Sequence, residues 1–71
     1  MKTSEIRALD TAEIHSRLDQ TREEYFRLRL QYATGQLTDH ARLRLVRGDI
    51  ARLSTILRER ELAAELQGSE T

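Results

Sequence analysis

The sequence predicts an all-α fold: a long antiparallel two-helix hairpin of coiled-coil type, preceded by a short N-terminal helix. Three observations carry this. The 71 residues contain no proline and only three glycines, and 34% are charged, a composition that favours helix over sheet. Two long runs place apolar residues at alternating steps of three and four, the signature of a heptad seam. Between them, "ATGQLTD" gathers the glycine and capping residues of a turn.

The elements follow in order, as one domain spanning residues 1–71. "TSEIRAL" predicts a short helix over about 3–9, with Thr3 or Ser4 as its cap. Asp10 then fits an N-cap, with Glu13 three residues on as a capping box requires, and Leu9 and Ile14 at the spacing of a hydrophobic staple. A long helix is expected over about 11–34, stopped by Gly35 in the left-handed conformation. Residues 35–38 form the turn, and Thr38 or Asp39 can cap a second long helix over about 39–66. The last residues, 67–71, are expected to fray.

The seam fixes how the long helices meet. Ile14, Leu18, Thr21, Tyr25, Leu28 and Tyr32 face Leu43, Val46, Ile50, Leu53, Leu57 and Ala64, with Arg60 as the one polar member. Folding at the turn pairs Tyr32 with Leu43, Leu28 with Val46, Tyr25 with Ile50 and Leu18 with Leu57. One register satisfies the whole seam.

Several function classes are excluded or disfavoured. Without cysteine there is neither a disulfide framework nor a thiolate zinc site. No apolar run approaches the ~18 residues of a membrane span, nor does one follow the N-terminus as a signal peptide requires; a cytosolic setting is expected. His15 and His40 fall on different helices near opposite ends, so no shared metal site is expected. No catalytic triad, phosphate loop or carboxylate pair can be assembled in a hairpin with so little room for a cleft. We expect no catalysis, no cofactor and no small-molecule substrate.

The net charge of zero conceals an asymmetry. Residues 27–52 carry six arginines against Asp39 and Asp49, while residues 1–26 and 53–71 each hold two more acids than bases. The heptad gathers much of the positive charge on one flank: His15, Asp19, Arg22, Phe26, Arg29 and Ala33 from the first long helix, and Arg44, Arg47, Ala51, Ser54 and Arg58 from the second. Arg29 and Arg47 face each other across the seam edge, like charges where a hairpin normally places opposite ones. A lone surface would let both splay into water. Five arginines together favour a bridging polyanion, since the guanidinium fork grips phosphate through two donors.

"LVRGDIARL" places Gly48 in the middle of a helix, pointing away from the seam. A bare backbone between Arg44, Arg47 and Arg52 lets a sugar-phosphate chain approach; drift at a tolerant surface position explains it equally well. The Arg-Gly-Asp tripeptide is held in helical register and does not read as an adhesion loop. A second apolar stripe, Phe26, Leu30, Ala33 and Leu37, lies away from the seam. Ile6 and Leu9 of the short helix reach only part of it, so it reads as a docking surface for a partner. A hairpin of this kind can alternatively pair into a four-helix homodimer acting as a protein-interaction adaptor. Attachment to an anionic membrane is disfavoured by the acidic ends.

"RLRLQYATGQL" followed by "LVRGDIARL" closely resembles the bacterial large-subunit ribosomal protein L29 family, and "MKTSEIRALDTAEI" is similar to that family's opening. The resemblance covers nearly the whole chain to about Arg58. It implies a small helical, non-catalytic protein bound to large-subunit ribosomal RNA beside the polypeptide exit tunnel. The implied neighbours are other ribosomal proteins at the tunnel rim and factors that meet nascent chains. The matching turn is Ala33 to Leu37, and the matching helix holds Val46, Arg47, Asp49, Ile50, Ala51 and Arg52. Gly48 departs from the family, which more often has a basic residue there. The expected RNA-binding residues are therefore Arg22, Arg29, Arg44, Arg47, Gly48, Arg52 and Arg58, and the expected docking residues are Phe26, Leu30 and Leu37.

Overall fold

In the computed structural model, which describes residues 1–36 and 40–69, three helices follow one another: α1 (Thr3–Arg7), α2 (Thr11–Ala33) and α3 (His40–Ser69). The long helices pack antiparallel into a rod with extents of 54 × 20 × 15 Å. The expected turn residues Leu37, Thr38 and Asp39, with the capping role foreseen for the last two, lie outside the described residues, as do residues 70 and 71.

Local signals set the ends of α2. The Asp10 carboxylate accepts from the Glu13 amide at 2.8 Å, satisfying one of the orphan donors of the first turn. The reciprocal half of the capping box is replaced, because the Glu13 carboxylate turns along the helix to Arg17 at 3.2 Å. At the other end Gly35 adopts φ +78°. Its amide donates to the Tyr32 carbonyl at 3.1 Å and that of Gln36 to Gln31 at 2.9 Å, the paired bonds of a Schellman stop.

The other boundaries differ from expectation. In α1, Thr3 and Ser4 are helical rather than capping; Lys2 holds the cap position without a side-chain bond, and the helix ends at Arg7. In α3 the helix continues to Ser69, past the expected Leu66, because Gly68 does not take the left-handed conformation with which Gly35 stops α2.

The core is concentrated where α1 joins the hairpin. Ile6, Ile14, Leu18, Leu53, Ile56 and Leu57 form one buried cluster, with Leu9 and Ile50 packed against it. A two-helix seam covers its side chains from two sides only, and α1 adds a third layer at this end. Accordingly the seam thins toward the turn. Val46 is buried, Tyr25, Leu28 and Leu43 are half-buried, and Tyr32 is exposed, its ring edge-on to His40 at 4.8 Å. Ala64 is also exposed, at the level where α2 begins. The helix α1 covers Ile56, not the Phe26 stripe.

The polar member of the seam is the clasp of this corner. The Arg60 guanidinium donates to Thr11 Oγ1 at 3.1 Å and to the carbonyl oxygens of Arg7 at 3.2 Å and Leu9 at 2.8 Å. It thereby satisfies backbone acceptors left open where α1 ends, and ties the α1–α2 connection to α3.

Candidate nucleic-acid interface

The rod carries eleven arginines, and their partners divide them sharply. Arg7 pairs with Glu59, Arg17 with Glu13, Arg27 with Glu23, Arg42 with Glu24 and Arg52 with Asp49. Arg60 is spent on the clasp. Among the described residues, the remaining five, Arg22, Arg29, Arg44, Arg47 and Arg58, have no ion pair. They are the five placed on one flank by the heptad, and all are exposed. The ion pairs to Glu24, Asp49 and Glu59 instead occupy the opposite flank, where α1 docks. The Met1 amino group also reaches Asp49 there, at 3.4 Å.

The structure distributes the seven expected RNA-binding residues over several places. Toward the open end, Arg22 and Arg58 line a shallow concavity with His15, Leu18, Asp19, Ser54, Leu57 and Glu61. This grouping confirms that residues of the two helices lie side by side in the expected register. Asp19 and Glu61 temper the positive field here without pairing to either arginine. Farther toward the turn, Arg29 lies over the Tyr25 ring at 5.9 Å from its centroid, within reach of a cation–π attraction. It also borders a depression with Phe26, Leu30 and Ala33. Arg47 is exposed on α3, and its position across from Arg29 is what the heptad register implies.

The third place is the outer face of α3, where Ala41, Arg44, Leu45, Gly48 and Arg52 surround a depression. Here the expectation of a bare backbone is modified. A Cβ on Gly48 would stand 2.9 Å from Arg52 Nη1, so the Arg52 guanidinium already lies over the glycine. Leu45, 62% exposed, belongs to this patch; sequence reasoning passed over it because it falls on neither the seam nor the charged flank. Ile56 was missed as well, although an isoleucine beside the seam residue Leu57 signals a second packed face.

The docking residues are open to solvent: Phe26 is 63% and Leu30 52% exposed, and Leu37 lies outside the described residues. Among the described residues no cluster of His, Asp or Glu could hold a metal ion, and no helix is long and apolar enough to cross a membrane.

This arrangement can grip an extended anion along one side and offer an apolar strip beside it. The family model described as Ribosomal L29 protein matches residues 4–60. The large ribosomal subunit protein uL29 of Geobacillus stearothermophilus is 61% identical over 64 residues, covering 90% of this chain and 97% of the relative. Those of Chloroflexus aurantiacus and Streptomyces coelicolor are 58% and 53% identical over 67 and 64 residues, covering 93% and 90% of this chain and 98% and 86% of each relative. The family match spans the capped α1–α2 junction, the turn and the arginine-bearing part of α3, and the chain belongs to the ribosomal L29 protein family.

Proposed function

We propose that this chain is a structural, non-enzymatic constituent of the large ribosomal subunit, holding large-subunit ribosomal RNA through its unpaired arginines near the polypeptide exit tunnel. Its setting is then the bacterial cytoplasm, and its process translation. The observation that carries the RNA contact is the division of the arginines: the flank lacking internal carboxylate partners is the one the heptad makes basic. Exposed guanidinium groups without acids are free to exchange water and counterions for phosphate oxygens. Arg22, Arg29, Arg44, Arg47 and Arg58 are the contacts, with Arg52 and Gly48 beside Arg44.

Phe26 and Leu30 form the strip that meets a neighbouring ribosomal protein at the tunnel rim, where factors that receive nascent chains also work; Leu37, outside the described residues, is the third docking residue the sequence implies. The strip's exposure, and its position beside Arg29, support this reading. The test is sedimentation of tagged protein with large subunits across a salt series, with gel filtration of the free protein alongside. Co-sedimentation that falls with salt, from a monomeric free protein, supports the proposal. A tight RNA-independent dimer absent from the subunit fraction favours the adaptor instead.

A further inference from the structure

We propose that Gly48 is a positioning residue for Arg52: its missing side chain leaves the seat on which the Arg52 guanidinium lies, beside Arg44, so that both arginines meet one stretch of RNA backbone. This rests on the RNA reading above and specifies how the outer face of α3 takes part in it.

No backbone demand explains this glycine. Gly35 is the only described glycine with positive φ, and Gly48 lies within the regular helix α3, where alanine is favoured. What distinguishes the position is the space above it. A Cβ there would lie 2.9 Å from Arg52 Nη1, 3.7 Å from Cζ and 3.8 Å from Nη2. The flat guanidinium therefore rests on the helix where a side chain would otherwise be.

The helix itself produces this placement. Side chains lean toward the helix N-terminus, so residue 52 reaches over the turn that contains residue 48. Asp49 steadies the guanidinium from the side, with Oδ1 at 3.7 Å from Nη1. The lean carries the Arg52 charge about one turn, or ~5 Å, nearer to Arg44. Arg44 has no acid partner among the described residues and borders the same depression. Leu45 and Ala41 complete it with apolar surface suited to a sugar edge. An alanine at position 48 displaces only the far end of a flexible side chain, so the fold is kept while the paired cation moves.

A double-mutant cycle on the full chain tests this, using large-subunit ribosomal RNA as the probe and anisotropy titrations across a salt series. Gly48→Ala is expected to weaken binding about three- to tenfold, the scale of one impaired phosphate contact, while raising thermal stability. Arg52→Gln is expected to weaken it similarly, and the double variant no further than Arg52→Gln alone. In the free protein, NMR relaxation of the Arg52 Nε–H is expected to report greater mobility in Gly48→Ala. Undiminished binding by Gly48→Ala would overturn the inference. So would a loss that persists in full in the Arg52→Gln background, which would make the glycine backbone itself the contact. Failure of the parent chain to bind RNA, by contrast, would overturn the RNA reading on which the inference rests.

Discussion

Arg60 donates from Nη2 to the carbonyl oxygen of Leu9 at 2.8 Å, joining the third helix to the connection between the first two. Leu9 O is a part-buried acceptor, and the donor is charged, a combination typically contributing about 1.5–3 kcal/mol. Exposure of the two companion bonds places the expected effect at the lower end. Arg60→Met keeps the apolar stem and removes the donors. It is expected to lower unfolding stability by about 1–2 kcal/mol in denaturant titrations and to speed amide exchange in α1. Unchanged exchange there would show that the clasp does not hold α1.

Ile6 tests the same corner from the apolar side. It is fully buried and is the residue through which α1 joins the cluster around Ile14, Leu53 and Ile56. Ile6→Ala is expected to cost about 2–4 kcal/mol, a large fraction of the stability of so small a domain. Circular dichroism melts measure it. A loss below about 0.5 kcal/mol would indicate that the hairpin core is complete without α1.

These two residues mark where sequence reasoning ends. Asp10 and Gly35 were legible because a cap and a Schellman stop are fixed by a few adjacent residues. The hairpin register was legible because one pairing serves the whole heptad seam. The unpaired arginine flank was legible for the same reason, since heptad position decides which helix edges meet. The docking of α1 on Ile56 was not, because a five-residue helix can approach a hairpin from several sides with one apolar residue. Nor was the placement of Arg52 over Gly48: it depends on how a long side chain folds back, which periodicity does not describe. Arg60 was legible only as the one polar member of the seam, because its partners lie about fifty residues away.

Leu30 distinguishes a docking strip from a covered core. It is half exposed and separate from the buried cluster. Leu30→Glu is therefore expected to leave helix content nearly unchanged by circular dichroism while reducing co-sedimentation with large subunits. Equal loss of both would assign the strip to the fold rather than to a partner.

Arg47→Glu separates binding from folding in the basic flank. Replacing Arg47, which the heptad register sets against Arg29, by an acid is expected to leave the free hairpin as stable as before, or slightly more stable. RNA affinity should fall, and the salt slope should flatten by about one to two units, through a lost contact and an added repulsion. Parallel melting curves and titrations provide the comparison, and a marked loss of stability would show that Arg47 serves the hairpin itself.

The most direct test of the account is the slope of log affinity against log salt for the parent chain on large-subunit ribosomal RNA. Five unpaired arginines and Arg52, each neutralising one phosphate, predict a slope of about −4 to −5.5, depending on whether the contacted RNA behaves as single-stranded or duplex. Replacing Arg22, Arg29, Arg44, Arg47 and Arg58 together by glutamine is predicted to leave a slope of only about −1, the share of Arg52, with the helices intact. A parent slope no steeper than about −1, or a quintuple variant that keeps the parent's slope, would contradict the claim that this flank holds the RNA.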